Sequence, residues 1–190
     1  MRPVAAVVEV MVPEIRRLEE SEAETLSRLA TTVYALAFGH SFAPEDLSAH
    51  LDAHLSPEAL RAALNRDLIL GAFRAGRPIG FVQFGALRDA DTPPPAWEIR
   101  RLYVLPEYQR QRLGSLLMEA ALSHPELMQA KAVFIDVWER NRGAQRLYRK
   151  FGFKLVGARK FIFASGREGD NDLIMVRNNI PKRQSPGDAA

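Results

Sequence analysis

Residues 109–112, Gln-Arg-Gln-Arg, place amide and basic side chains between an apolar segment and an amphipathic one. Residues 97–104 are rich in branched and aromatic side chains, which predicts a strand, and Pro106 ends it. The next segment repeats apolar residues at helical spacing: Leu113, Leu116, Leu117, Ala120 and Ala121. A helix N-terminus presents unpaired backbone N–H groups and the positive end of a dipole. Because two arginines add full charges there, the loop predicts a phosphate or pyrophosphate site.

The loop by itself does not define its ligand. It lacks the Gly-Lys-Ser/Thr ending of a Walker loop and the Gly-x-Gly-x-x-Gly pattern of a dinucleotide site. A connection between a strand and a helix that carries only solvated arginines has the same pattern, so this alternative stays open.

Two acidic residues on predicted strands are candidates for proton transfer. Glu98 lies at the start of the strand before the loop, and Asp136 lies within the apolar run of residues 133–137. An isolated buried carboxylate is costly, so Asp136 must be paired, protonated or close to water, and such perturbed acids concentrate at functional sites. The structural alternative is an ion pair of Asp136 with Arg100 or Arg101.

The composition is that of one ordinary globular domain, with 190 residues of which 47% are hydrophobic and 26% charged. The absence of cysteine excludes a disulfide framework, a thiol nucleophile and a cysteine-ligated zinc, and it fits a cytoplasmic protein. No apolar run reaches the roughly 20 residues that span a bilayer, so we expect no membrane association. The net charge of +3 is scattered along the chain, which disfavours a nucleic-acid partner.

The four histidines form no pattern of metal ligands. His50 and His54 lie four residues apart on a predicted helix, a spacing that can bind zinc, but no third ligand is evident. We therefore predict no metal site and an exposed helix surface for both residues.

Local signals predict helices early in the chain. Residues 21–24 form a capping-box pattern that opens a helix continuing to Phe38. Pro44 and Pro57 mark two further helix starts, because proline is favoured at the first position of a helix. Three helices are therefore expected before the first hairpin.

The rest of the chain alternates between strands and helices. Residues 67–84 predict a hairpin, residues 97–151 alternate strand, helix, strand and helix, and residues 153–176 predict a second hairpin. The expected division of the chain is an N-terminal extension over residues 1–13, one domain over residues 14–178 and a flexible tail over residues 179–190.

Two segments together resemble the cofactor-binding motifs of the GCN5-related N-acetyltransferase (GNAT) superfamily. The loop matches the pattern Gln/Arg-x-x-Gly-x-Gly/Ala after a strand through Gln109, Arg110, Gln111, Leu113 and Gly114. Residues 136–153 are similar to the second segment, which is a strand, an Asn, a helix with a Tyr, and Gly-Phe. Arg112 departs from the pattern, because the superfamily usually has its first glycine there.

A weaker resemblance to the bacterial PaiA-type polyamine N-acetyltransferases spans roughly residues 14–178. Its short motifs are Phe38, residues 44–47, residues 79–81 and residues 172–175. The resemblance implies an α/β (α+β) fold of one domain, with a mixed, mostly antiparallel central sheet flanked by helices. It also implies acids near a polyamine acceptor, for which the candidates are Glu45, Asp46, Asp89, Asp91 and Glu98.

The superfamily resemblance also implies roles for individual residues. Glu98 or Asp136 is the general base that takes a proton from the amine, and Tyr148 protonates the coenzyme thiolate. Without the resemblance, Tyr148 would be interpreted as an ordinary core residue of its helix. The residues expected to bind acetyl-CoA are Leu102, Tyr103, Val104, Gln109, Arg110, Gln111, Arg112, Leu113, Gly114, Ser115 and Asn141, the last of which can also cap its helix.

Arg112 is compatible with a pyrophosphate site if its backbone φ is negative, as in a helix. We expect a negative φ, because Gly114 supplies the second small position of the motif. A positive φ would strain this residue and impair the site.

These observations predict a cytoplasmic N-acetyltransferase that transfers an acetyl group from acetyl-CoA to a primary amine by direct attack in a ternary complex. A polyamine such as spermidine or spermine is the expected acceptor, while peptide N-termini, amino sugars and small amines stay open. The first alternative is a CoA-binding regulatory protein with little catalysis. The second is a basic nucleic-acid-binding protein that uses Arg100, Arg101 and the arginine-rich helix after Asn141. The sequence leaves both a homodimer and a monomer open.

Overall fold

The computed structural model describes residues 12–87 and 95–179 of the chain. Most of the expected N-terminal extension, the acids Asp89 and Asp91, and residues 180–190 of the expected tail lie outside the described residues. Within the described ranges, no helix combines the length and the apolar character that crossing a membrane requires.

Seven strands of the described residues form one sheet, with six α-helices packed against it. The strands are β1 (Glu14–Arg17), β2 (Leu68–Arg74), β3 (Arg77–Ala86), β4 (Ala96–Val104), β5 (Ala132–Trp138), β6 (Lys154–Ile162) and β7 (Glu168–Asn178). The helices are α1 (Ala23–Phe38), α2 (Pro44–Leu55), α3 (Pro57–Arg66), α4 (Leu113–Leu122), α5 (Pro125–Gln129) and α6 (Arg142–Lys150). The order in the sheet is β1-β2-β3-β4-β5-β7-β6.

The sheet is antiparallel at every pairing except that of β4 with β5. This exception arises because α4 and α5 connect the two strands and return the chain to the same end of the sheet, as a parallel pair requires. The predicted fold class, a mixed and mostly antiparallel sheet flanked by helices, is confirmed.

Helices on both faces of the sheet give the domain two hydrophobic cores. On one face, α1 buries Leu26 and Val33 together with residues of α3, β2 and β3. On the other face, α4 buries Leu117 and Met118 against residues of β3, β4 and β5. Each fully buried side chain of this size contributes roughly 1.5–3 kcal/mol. The two cores therefore hold both faces of the central strands.

The local signals for helix starts were correct at two of three positions. Helices α2 and α3 begin at Pro44 and Pro57, as predicted. The predicted capping box at residues 21–24 is wrong, because a three-ten turn precedes α1. The Glu22 carboxylate accepts a hydrogen bond from the backbone N–H of Glu19 at 3.0 Å. The acidic cluster therefore caps this turn, two residues before the predicted position.

Candidate active site

Strands β4 and β5 separate partway along their length. They pair only between residues 96–99 and residues 132–135. Beyond this point β4 continues along β3 and β5 continues along β7, and the described residues of the two strands exchange no further ladder bonds. The separation opens a cleft of about 830 Å³, a size typical of small-molecule sites.

The residues predicted to bind the pantetheine arm lie on the β4 edge of this cleft. Leu102, Tyr103 and Val104 line it together with Gln109. The Gln109 side-chain amide donates a hydrogen bond to the Val104 carbonyl at 3.1 Å, which ties the loop to the strand edge. An extended ligand with amide groups can bind such an edge as an added strand. The geometry fits the expected role, which stays a prediction.

The loop of residues 109–112 is exposed, and two of its residues have a left-handed backbone. The backbone φ is 57° at Arg110 and 66° at Arg112. The expectation of a negative φ at Arg112 is therefore wrong, because this residue is the N-cap of α4 and not part of the helix. A left-handed conformation costs a non-glycine residue roughly 1–2 kcal/mol. This part of the chain thus carries strain that a glycine would relieve. The expected impairment of the anion site does not follow from the strain, because no side chain caps the first N–H groups of α4.

The first turn of α4 adjoins the loop. Within the described residues, no side chain accepts a hydrogen bond at the N-cap of α4, so its first N–H groups are oriented for an anion. Leu113 anchors the turn in the core, and Gly114 and Ser115 follow it at half-buried positions. A Cβ on Gly114 would lie 3.3 Å from Leu147. A larger side chain would therefore crowd the helix start.

Three carboxylates line the cleft. Glu98 and Asp136 lie on neighbouring strands, close to the point where β4 and β5 separate. Asp172 of β7 also lines the cleft. It is paired with Trp138, two residues after Asp136 on β5. Arg159 lies opposite Asp172 in the register of β6 and β7, and it brings a positive charge to the same group. The sequence analysis did not identify Asp172 or Arg159 as site residues.

The surroundings raise the pKa of all three carboxyl groups above the usual range. Burial is the main cause at Glu98, Asp136 and Asp172. The neighbouring Asp136 raises the pKa of the other two further, whereas Arg159 acts in the opposite direction on all three. A carboxylate with a raised pKa is a stronger base near neutral pH, which is the property that proton transfer needs.

The structural alternative, an ion pair of Asp136 with Arg100 or Arg101, is not observed. Asp136 pairs with Arg159, which comes from a hairpin much later in the chain. Arg100 pairs with Glu98 instead, and Arg101 donates a hydrogen bond to the His54 carbonyl at 3.3 Å. The two adjacent arginines are therefore bound to neighbours within the cleft and do not form a separate basic patch.

Tyr148 and Asn141 lie at the two ends of the cleft-facing part of α6. Tyr148 is buried, and burial raises the pKa of its phenol, so the hydroxyl keeps its proton at neutral pH. Asn141 is the N-cap of α6, and its Oδ1 accepts a hydrogen bond from the Ala144 N–H at 3.0 Å. Both residues line the cleft. The capping role of Asn141 is thus observed, while the coenzyme roles of both residues stay predictions.

An aromatic wall lines the same cleft as the carboxylates, and most of it has no local signal in the sequence. Its members are Tyr34, Phe38, Phe42, Trp138, Phe161 and Phe163. The ring centroids of Tyr34 and Phe38 are 4.8 Å apart, and those of Phe38 and Trp138 are 5.8 Å apart. The four-residue spacing of Tyr34 and Phe38 on α1 was a local signal for part of this wall, whereas the other rings come from distant elements.

His50 belongs to the same wall, so the prediction of an exposed helix surface is wrong for this residue. Its ring stacks on Tyr34 with centroids 4.4 Å apart and an interplanar angle of 15°. Burial, with help from the charges of His54 and Arg101, lowers the pKa of His50 to about 4. The imidazole is therefore neutral at pH 7. Across the described residues, no group of three His, Cys, Asp or Glu side chains is arranged to hold a metal.

Asp46, one of the acids expected beside the acceptor, has a structural role. Its carboxylate accepts hydrogen bonds from the backbone N–H and the hydroxyl of Ser165, each at 3.1 Å. Arg167 approaches the same carboxylate at 3.5 Å. These contacts tie the start of α2 to the turn between β6 and β7, which holds Phe42 and Phe163 in the aromatic wall.

A parallel strand pair that separates beside a helix N-terminus, with carboxylates at the fork, can hold an extended anionic ligand next to a cationic one. The model of the acetyltransferase (GNAT) family matches residues 30–153. An uncharacterised N-acetyltransferase of Mycobacterium tuberculosis is 33% identical over 162 residues, covering 84% of this chain and 99% of the relative. The chain therefore belongs to the GNAT family, and it is an acyl-CoA-dependent N-acetyltransferase.

Two further comparisons bear on the subgroup. The spermidine N(1)-acetyltransferase of Thermoplasma acidophilum is 28% identical over 152 residues, covering 75% of this chain and 88% of the relative. The crystal structure of PaiA N-acetyltransferase from the same organism, in complex with coenzyme A, matches with a TM-score of 0.71 and 24% identity. It covers 88% of this chain and 99% of that chain. The resemblance to the PaiA-type members of the superfamily is thus confirmed.

Proposed function

We propose that the protein acetylates a primary amine of a polyamine by direct attack on acetyl-CoA in a ternary complex. The observation that carries the proposal is the group of three carboxylates, Glu98, Asp136 and Asp172, that lines the same cleft as the aromatic wall. Carboxylates attract a polycation by Coulomb interaction, and aromatic faces add cation–π attraction. The similarity to a relative whose name specifies spermidine supports the same acceptor.

Another part of the cleft, further along β4, fits coenzyme A. The β4 edge at Leu102, Tyr103 and Val104 suits the amides of the pantetheine arm. The N-terminus of α4, with Arg110 and Arg112 beside it, suits a pyrophosphate. When bound, acetyl-CoA supplies the activated acetyl thioester. The residues of the loop then orient it along the strand edge.

Glu98 is the proposed general base. An ammonium group is not nucleophilic, so a carboxylate must take one N–H proton for the nitrogen to form its bond to the carbonyl carbon. The raised pKa of Glu98 favours this transfer. As the C–S bond breaks, the Tyr148 hydroxyl is proposed to give its proton to the sulfur, and the second N–H proton of the attacking nitrogen then restores the phenol. Asp136 is the alternative base, because it lies on the adjacent strand with a similarly raised pKa.

The test is release of the coenzyme thiol from acetyl-CoA in the presence of spermidine, spermine, lysine, an amino sugar or an N-terminal peptide. We expect release with the two polyamines well above that with the other amines. Release with another amine alone would keep the acetyltransferase and contradict the polyamine. No release with any amine, while coenzyme A still binds, would favour the regulatory alternative.

Location and assembly are the remaining parts of the proposal. A cytoplasmic location is supported by the cysteine-free sequence and stays a prediction. The homodimer and the monomer both stay open, and so does the expectation that nucleic acid is not a partner. Sedimentation of the full chain distinguishes the two assembly states.

A further inference from the structure

Asp67 lies at the junction of α3 and β2, and β3 separates β2 from β4, the strand that carries Glu98. Only 2% of its side chain is exposed. Gly85 makes room for it, because a Cβ at that position would overlap Oδ1 of Asp67. Gly85 is also paired with Glu98 in the register of β3 and β4. The sheet therefore has a position without a side chain next to the proposed base, and a buried carboxylate fills it.

Arg100 connects this carboxylate with Glu98. Its Nε lies 3.2 Å from Oδ2 of Asp67, an ion-pair contact without the direction of a hydrogen bond. Its Nη1 donates to the Glu98 carboxylate, and its Nη2 donates to the Ala86 carbonyl at 2.7 Å. One guanidinium is thus shared between two acids and fixed by a backbone group.

The position of Arg100 depends on a β-bulge. Gln83 is paired with Arg101, whereas the next residue, Phe84, is paired with Ile99. Arg100 is therefore the extra residue of β4 at this point. A bulge redirects side chains relative to a regular strand. This irregularity explains how Arg100 reaches Glu98, two residues before it, and Asp67 on the neighbouring element.

Asp67 is held in place independently of Arg100. The Gln83 side-chain amide donates to Oδ2 of Asp67 at 2.6 Å, and Arg66 donates to the same oxygen at 3.1 Å. Gln83 is fully buried, and its Oε1 accepts a hydrogen bond from Arg101, which fixes the orientation of its amide. Asp67 is therefore an anchored group against which Arg100 is positioned.

We propose that Asp67 is a positioning residue for acetyl transfer. Asp67 and Glu98 share the guanidinium of Arg100. This sharing fixes the position of the Glu98 carboxylate and keeps Arg100 from neutralising its charge fully. The proposal rests on the role of Glu98 as the base. It extends the site beyond the cleft, since Asp67 is buried against Gly85 of β3 and is not among the residues that line the cleft. Its effect on the reaction is transmitted through one guanidinium.

The charges around Glu98 give the direction of the effect. Burial raises the pKa of Glu98, Arg100 and Arg159 lower it, and Asp136 and Asp67 raise it. Removing the charge of Asp67 removes one of the raising influences and leaves Arg100 to act on Glu98 alone. The titratable and charged groups that face this cluster from the surrounding elements are Arg66, Asp67, Arg100, Arg101, Asp136, Arg159 and Asp172.

The first test is the pH dependence of kcat at saturating acetyl-CoA and spermidine for Asp67→Asn. We expect kcat to fall about tenfold, an effect typical of a small misplacement of a catalytic group. The acidic limb of the profile should move to lower pH, because the pKa of Glu98 falls. Asp52→Asn, an exposed acid on α2, is the matched control and should change neither quantity. An unchanged profile for Asp67→Asn would overturn the proposal.

A double-mutant cycle with Glu98→Gln separates positioning from general stabilisation. If Asp67 acts through Glu98, Asp67→Asn lowers kcat in the native background and causes no further loss in the Glu98→Gln background. An equal loss in both backgrounds would contradict the proposal. If Glu98→Gln itself keeps the native kcat, the assignment of the base fails instead, so the two failures are distinguishable.

Gly85→Ala provides a second variant that keeps the charge of Asp67 and displaces its carboxylate. We expect kcat to fall several-fold in the native background and to be unchanged by this substitution in the Glu98→Gln background. Thermal unfolding of both variants checks that they fold. If Asp67→Asn does not fold, the double-mutant cycle of Gly85→Ala with Glu98→Gln tests the proposal instead. A loss of kcat only in the native background supports the proposal, and an equal loss in both backgrounds contradicts it.

Discussion

The two sides of the cleft are built in different ways. The proposed donor side consists of the β4 edge, the loop of residues 109–112 and the start of α4, and it offers mainly backbone groups. The proposed acceptor side consists of charged and aromatic side chains from α1, β4, β5, β6 and β7. Backbone groups suit what every acyl-CoA shares, whereas side chains can select an acceptor. Substitutions on the two sides should therefore change different kinetic constants.

The largest effect is expected on the acceptor side, from Glu98→Gln. We expect kcat to fall by about 10²- to 10⁴-fold, because a neutral amide cannot take the proton of the amine. The Kd for coenzyme A, measured by calorimetry, should stay unchanged. Glu58→Gln, at an exposed acid of α3, is the control and should keep the native kcat.

The pH dependence of kcat tests the role of Glu98 as the base in a second way. Because burial raises the pKa of Glu98, native kcat should fall as the pH drops through that raised value, above the usual range of a carboxyl group. The acidic limb should be absent in Glu98→Gln. A loss smaller than tenfold with the limb retained would move the role of base to Asp136, which Asp136→Asn then tests.

The second prediction concerns recognition of the acceptor. Asp172→Asn should raise the KM for spermidine about tenfold, equivalent to about 1.4 kcal/mol, and should change the KM for butylamine less. The reason is that only the longer, multiply charged amine has a second ammonium to place near Asp172. Asp52→Asn is the control, and an equal change with both amines would assign Asp172 a structural role.

The third prediction moves to the donor side. Gly114→Val should raise the Kd for coenzyme A about tenfold, because its branches extend beyond a Cβ that is already 3.3 Å from Leu147. The KM for spermidine should stay unchanged. Gly114→Ala adds only that Cβ and is the matched control, with a smaller effect. A change in the KM for spermidine would contradict the assignment of coenzyme and acceptor to different parts of the cleft.

The smallest effect is expected from Arg112→Gly. Relief of the left-handed backbone should raise the free energy of unfolding by about 0.5–1 kcal/mol, after subtracting the entropic cost of glycine. The affinity for coenzyme A should fall only a few-fold, through loss of one charge. Urea unfolding measures the first quantity, and a lower stability of Arg112→Gly would show that the arginine side chain offsets the strain.

The same contrast explains how much of the site could be predicted from the sequence. The donor side depends on local patterns, so the strand before Pro106, the loop and the helix from Leu113 were all visible. The sign of φ at Arg112 could not be predicted, because helical spacing does not show whether a residue is the N-cap or belongs to the first turn of the helix.

The acceptor side depends on contacts between distant segments. Glu98 and Asp136 were visible as acids in apolar strands, but their partners were not. Arg159 and Asp172 reach the cleft through the register of β5, β7 and β6, which a single sequence does not specify. Asp67 is a further example, since its place beside Glu98 depends on Gly85 of another strand. The fold class, in contrast, followed from local elements and the family resemblance.

The most direct test of the account is the ratio of kcat/KM for spermidine to that for butylamine, measured at low and at high ionic strength. If side-chain carboxylates select a polycation, the ratio should be well above ten at low salt and should fall as salt screens the charges. A ratio near one at both ionic strengths would contradict the account, because the three carboxylates would then not recognise the acceptor.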